Sequence, residues 1–239
     1  MFDYFKDGFW HGIAYWIYHF QTLVAGIFAL LAAWWTVINI QKQIKQAEEF
    51  RNEDKHTKNI ASRAGMARAL SVIADYNNSC MNLAIELYQH YKNNNNHVRG
   101  FTGELIDYPQ ESYDKIQSVV EYADREDAKI LLDYISFSQI QESRMRELAN
   151  LANVTPRRII TEWNCYSYIY DALRAKKATD RLFDYARNQI DNIGDYCSAD
   201  DALNTLFVGW SEVIEGDNEL IEYIRGKWPP KPISESETH

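Results

Sequence analysis

No proline occurs before Pro109, and Gly65 is the only glycine between Gly26 and Gly100. Nothing in the first hundred residues therefore forces a long helix to stop. Cysteine is almost as scarce: Cys80, Cys165 and Cys197 are odd in number, far apart and without a CxxC pair. That pattern argues against a disulfide framework and against a zinc site, and predicts buried thiols in a reducing compartment. Also missing are HExxH, GxxxxGK[ST], GxGxxG and GxSxG, which removes the commonest metalloprotease, nucleotide-binding and hydrolase signatures. No strong basic cluster offsets the net charge of -9, so phosphate-rich partners would be repelled and no nucleic acid is expected. Alternating β-branched runs and internal repeats are absent as well, which points away from sheets and solenoids.

What the chain does have is one long apolar run, LVAGIFALLAAWWTVINI, from Leu23 to Ile40. The mean hydropathy of the whole is only -0.46, so apolar character is concentrated there and the rest is soluble in character. At about 1.5 Å per residue, roughly 20 residues cross a hydrocarbon core of about 30 Å, and the run extended back through Tyr18 and Phe20 is long enough. A core helix carries a polar face every third or fourth residue, whereas here the only polar side chains are Thr36 and Asn39, both near the end. Trp10, Tyr15, Trp16 and Tyr18 precede the run and Trp34 and Trp35 lie near its far end, as expected of rings placed at the two membrane interfaces. A cleaved signal peptide fits less well, because a basic n-region and a suitably placed A-x-A site are wanting.

The flanks set an orientation. Lys6 and the terminal amine are the positive charges on the N-terminal side, while Lys42, Lys45, Arg51, Lys55 and Lys58 follow the run. The positive-inside rule then places the C-terminal part in the cytoplasm. The expected organisation is a short exoplasmic or interfacial segment over 1–22, a transmembrane helix over 23–41 and a charged juxtamembrane helix over 42–58. A helical cytoplasmic domain over 59–226 and a disordered tail over 227–239 follow. Within the span, Ala25, Ala29, Ala32, Thr36 and Asn39 recur at steps of four and three. Such a stripe lets helix backbones approach closely and offers hydrogen bonds for self-association.

The block GIFALLAAWWTVINIQKQIKQAE, residues 26–48, resembles the anchor of a loose group of uncharacterised bacterial single-pass membrane proteins. In that group a similar Ala-rich span leads through I-x-x-Q-I-x-x-A-E into a helical cytoplasmic region. The resemblance covers about a tenth of the chain, brings no activity with it, and implies location and architecture only; with the orientation set by the flanks, the expectation is an inner (plasma) membrane protein with its N-terminus outside.

Beyond the span, Ile40, Ile44 and Ala47 continue a stripe that Arg51 and Asp54 break, so no sustained coiled coil is predicted. The helix either continues or bends near Glu53 to Thr57. Leu70, Ile73, Ala74, Met81, Ala84, Ile85, Tyr88 and Tyr91 then share a face at helical spacing, up to the loop signal KNNNNHVRG. Helices are expected after Pro109, from near Asp124 to a close at Asn153 and Val154, from Thr155-Pro156 to about Ile190, from Ser198, and after Asp217. The predicted fold is all-α: one N-terminal transmembrane helix followed by a bundle of about five helices.

Candidate chemistry is sparse. Arg51 and His56 in RNEDKH have the spacing of the R-x4-H signature and in this resemble the HEPN family of helical ribonucleases. There the arginine would hold a phosphate and the histidine would move a proton. A charged juxtamembrane helix explains the same residues. Glu53 and His56 form a single E-x-x-H, whereas a di-iron bundle needs two, so no metal and no cofactor are expected. His90 and His97 flank the asparagine loop and are expected in solvent. Arg174, Lys176, Lys177 and Arg181 form a basic helix face, either solvated or facing anionic headgroups. The leading expectation is a membrane-tethered interaction or scaffold protein that meets a protein partner at the membrane. A self-associating membrane effector regulated by its helical domain is the alternative, and a ribonuclease using Arg51 and His56 stands behind both.

Overall fold

A computed structural model describes residues 3–95, 97–98, 100–151, 160–214 and 216–229. Seven helices are described: α1 Asp3–His19, α2 Gln21–Asn93, α3 Gln110–Val120, α4 Arg125–Ala149, α5 Glu162–Ala186, α6 Ala199–Ile214 and α7 Asn218–Lys227. The described residues contain no strand, in keeping with the all-α prediction. The chain divides into two compact units, Met1–Lys55 and His56–His239, with the boundary inside the 73-residue α2. Residues 42–58 are therefore continuous helix with what precedes and follows them, as the lack of proline allows.

The first unit contains α1 and the start of α2, separated at Phe20, whose carbonyl accepts from Val24 N–H at 2.9 Å. None of its described side chains is buried.

The core of the second unit lies in two clusters of buried residues. α2 and α5 run antiparallel: Arg63 meets Tyr185, Asn77 meets Ala175 and Thr179, and Tyr88 meets Tyr166, rising numbers on one helix facing falling numbers on the other. Around this pair, one cluster joins Met66, Leu70 and Ile73 to α3, the first half of α4 and the end of α5. A second joins the stretch from Tyr76 to Tyr91 to the start of α5, α6 and α7. The stripe expected on α2 is buried except for half-buried Ala74, and it is wider than predicted, with Met66, Tyr76, Cys80, Leu83 and Leu87 also inside. Each fully buried aliphatic side chain contributes about 1.5–3 kcal/mol by leaving water.

Three local expectations need correcting. α4 ends at Ala149, with Asn150 at its C-cap, ahead of the expected close; Asn153, Val154 and the Thr155-Pro156 start lie outside the described residues. α5 begins at Glu162, where Asn164 Oδ1 accepts from both the backbone N–H and the hydroxyl of Thr161, each at 2.8 Å. Trp228, placed with the tail by composition, is 8% exposed and donates its indole N–H to the Cys197 carbonyl at 2.8 Å. The remaining tail, 230–239, lies outside the described residues. The starts of α6 and α7 agree with the sequence: Ser198 Oγ accepts from Asp201 N–H at 3.1 Å, and Asp217 accepts from Leu220 N–H at 2.9 Å.

Candidate functional site

The sequence feature with the clearest functional meaning is the apolar start of α2. This helix is long and apolar enough to cross a membrane by length and composition; its best 18-residue window has a mean hydropathy of 2.0, and none of that window is buried. Leu30 and Phe28 are 73% and 66% exposed, and Trp34 and Trp35 are 66% and 70% exposed. A core helix of a soluble protein buries one side; here leucine, isoleucine, phenylalanine and tryptophan side chains on every side of the helix lack protein cover.

The flanks are laid out along the same helix. Lys42, Lys45, Arg51, Lys55 and Lys58 are all exposed on α2, and Lys45 reaches Glu49 one turn on at 3.8 Å. Such an exposed pair contributes little to stability. On the N-terminal side Trp10 is exposed on α1, Tyr15 packs edge-on to His19 at 4.3 Å, and the side chain of Trp16 lies outside the described residues. Of the small-residue stripe, Ala25, Ala29, Ala32 and Thr36 are exposed and Asn39 is half-buried. The Thr36 hydroxyl donates to the Ala32 carbonyl at 2.8 Å, so its proton is already used within the helix and it can only accept from a neighbour.

Arg51 and His56 are both exposed on α2. Five residues on a helix of 3.6 per turn put them about 140° apart around the axis, which spreads the two side chains rather than converging them on one phosphate. No group of three or more metal-ligating side chains exists among the described residues. His97 is exposed as expected, whereas His90 is half-buried with its ring 5.5 Å from that of Phe101. Burial pushes the thiols of Cys80 and Cys165 up to about 12, so neither is a thiolate at neutral pH.

The basic set on α5 is not a solvated face. Arg174 lies 4.1 Å over the Phe137 ring, Lys176 donates to Asn78 at 2.9 Å, Lys177 pairs with Asp180 at 3.3 Å, and Arg181 stacks over Tyr196 at 4.8 Å. All four are half-buried and point to different neighbours.

Two polar features were not anticipated. Arg63, 5% exposed, donates Nε–H to the Tyr185 carbonyl at 2.8 Å, reaches the Ile190 carbonyl with Nη2, and stacks 3.8 Å over the Tyr185 ring. It thus places a cation at the C-terminal end of α5, where the helix dipole favours one. At the other end of the bundle Asp217 accepts from the hydroxyls of Tyr88 and Tyr166, with Lys92 3.9 Å away and Glu162 beside Lys92. Burial alone would push the Asp217 carboxyl up; the hydrogen bonds from Tyr88 and Leu220 and the Lys92 charge hold it below its ordinary value. The network borders an open cleft of about 890 Å³, yet its charged members are already engaged with one another, which reads as structure rather than chemistry.

No protein-family model, no curated protein and no solved structure matches the chain.

Proposed function

We propose that this protein is a membrane-tethered helical scaffold, with a single span over residues 23–41 and a helical domain that engages a protein partner at the cytoplasmic face. The observation that carries the reading is the apolar window of α2, of mean hydropathy 2.0 and with none of its residues buried. An 18-residue stretch of this hydropathy left in water would be a severe aggregation liability, and lipid removes it. The positive flank from Lys42 to Lys58 favours a cytoplasmic bundle and an exoplasmic α1. Tethering restricts the bundle to a thin layer at the membrane surface and so raises its effective concentration for a partner held there.

A second reading, a self-associating membrane effector, is favoured by the exposed Ala25, Ala29, Ala32, Thr36 stripe. The ribonuclease reading has the least support, since Arg51 and His56 diverge around an exposed helix; unchanged activity or toxicity in His56→Ala would remove it.

Crosslinking and mass spectrometry in native membranes, on the intact chain and on a version lacking residues 1–41, separates the first two. The scaffold reading expects crosslinks to a distinct protein that persist at lower yield without the span. Self-crosslinks that vanish with the span would replace it with the effector. Orientation is read from Gly8→Cys and Thr57→Cys in intact cells: an impermeant maleimide is expected to label the first and not the second.

A further inference from the structure

We infer that the cavity between α4 and α5 binds an aromatic α-amino acid. The cavity measures about 280 Å³ and lies wholly within the second unit. Two helix faces make its walls: Ile130, Asp133 and Phe137 lie three and four residues apart on α4, and Ala178, Arg181 and Leu182 hold positions i, i+3 and i+4 on α5. Asp195 and Tyr196, from the stretch between α5 and α6, complete the lining. The volume is at the small end of ligand cavities, which run from roughly 300 to 1,000 Å³, and suits a small metabolite rather than a peptide.

The lining is charged and yet neutral in sum, with Arg174 and Arg181 set against Asp133 and Asp195. Arg181 and the two aspartates share the cavity without making an ion pair among the described residues. Arg181 is nonetheless held in place: its Nε–H donates to the Gly194 carbonyl, and its guanidinium stacks 4.8 Å over the Tyr196 ring. That fixes the plane of the group and leaves both Nη groups, which have no partner among the described residues, as the side-by-side donors a carboxylate accepts from. Opposite charges that share a cavity without meeting suit a ligand that carries both signs, an ammonium donating to Asp133 and a carboxylate accepting from Arg181. A ligand of one sign would meet one of these groups and take water from the other without replacing it.

Between the charged groups the walls are apolar and rich in rings. Tyr134 and Phe137 are buried, Tyr196 is half-buried, and Arg174 covers one face of Phe137 at 4.1 Å. Rings favour a further ring set edge-on or offset against them, which selects an aromatic side chain. The space itself traces to Ala178: one turn away on either side stand the long side chains of Arg174 and Leu182, and nothing beyond a methyl group fills the position between them. An α-amino acid joins its ammonium, its carboxylate and its side chain at one carbon, so a single small molecule meets both charges and still presents a ring to Ile130, Phe137 and Leu182.

The test is isothermal titration of L-phenylalanine into the full chain in nanodiscs, beside phenethylamine and phenylpropionate, which keep the ring and lack one charge each. Saturable binding of L-phenylalanine is expected, with both analogues about tenfold weaker or worse. Asp133→Asn should weaken L-phenylalanine binding about tenfold by removing one charge-assisted contact. Asp133 makes no side-chain hydrogen bond or ion pair among the described residues, so this variant should melt with the wild type and report on the ligand alone. Arg181→Gln should weaken binding at least as much, and Ala178→Leu should abolish it by filling the space. Lys177→Gln, which removes the partner of Asp180 outside the cavity, should leave it unchanged. No binding of L-phenylalanine would overturn the assignment, as would equal binding by the wild type and Asp133→Asn/Arg181→Gln, or phenylpropionate binding as tightly as L-phenylalanine.

Discussion

The two ends of α2 are one helix with opposite relations to their surroundings. Between Leu23 and Ile40 apolar side chains point in every direction and none is buried; between Met66 and Tyr91 most are packed to near-complete burial by the helices around them, Val72 being exposed. Helix propensity does not distinguish the two stretches. The distribution of apolar residues around the axis does, because a stripe can be covered by neighbouring helices and an all-round apolar surface only by a solvent of the same kind. The sharpest way to break this comparison is to place charge at exposed apolar sites in both units. Leu30→Arg with Leu31→Arg is expected to cost roughly 2.5–3.5 kcal/mol per arginine at the span centre and to move the chain out of the carbonate-resistant membrane pellet. Val208→Arg, at a site 90% exposed on α6, should leave the chain in the pellet. If the double variant stays there too, the proposed span is wrong.

The same helix permits a matched pair of truncations. Leu70 is fully buried against α3, α4 and α5, and Leu70→Ala should cost about 3 kcal/mol of bundle stability in urea unfolding followed by circular dichroism. Leu30→Ala should change that stability by less than about 0.5 kcal/mol, because Leu30 has no place in the core. Comparable losses from both would mean that the first unit is packed into the fold after all.

Arg63 marks where the buried regime begins. It is the first buried residue along α2, and its guanidinium meets two carbonyls that terminate α5 and the following turn. Arg63→Met keeps the apolar stem and removes the donors, so about 2 kcal/mol should be lost. Amide exchange should speed up first in the stretch 187–193, which that arginine holds; a loss spread evenly over the bundle would show that its role is packing alone.

How much of this was legible beforehand follows from the range of each interaction. The helices at Pro109, Asp124, Ser198 and Asp217 could be read because proline, caps and acidic first turns act within four residues. The start of α5 at Thr161 with Asn164 was not singled out, because such a cap is a short local signal that many Thr and Asn pairs share; Thr155-Pro156 lies outside the described residues. Of the site residues, the long apolar stretch of α2 and the exposed basic residues after it could be read because composition shows both directly. The basic face of α5 was misread because its partners, Phe137, Asn78 and Tyr196, lie far away in sequence. Arg63, Trp228 and the cavity between α4 and α5 were invisible for the same reason: each is made by helices that meet only in the folded chain.

The smallest effect expected concerns the far end of the core, where Asp217 combines a local duty with a distant one. Its carboxylate caps α7 through Leu220 and also accepts from Tyr88 and Tyr166, groups on α2 and α5. Burial pushes this carboxyl up, but the hydrogen bonds and Lys92 outweigh it, so its folded value lies below the unfolded one. A depressed carboxyl contributes stability that is fully present above the unfolded value of about 3.9 and is lost as pH falls through the folded value. Asp217→Asn keeps a capping oxygen and removes the charge, and about 1 kcal/mol should be lost at neutral pH. That deficit relative to wild type should shrink on acidification below about pH 4, since protonation removes the same charge from the native side chain. Unfolding curves at pH 7 and at about pH 3 check it. A deficit that is equal at both would assign the whole effect to the shape of the cap and none to the charge that Tyr88, Tyr166 and Lys92 surround.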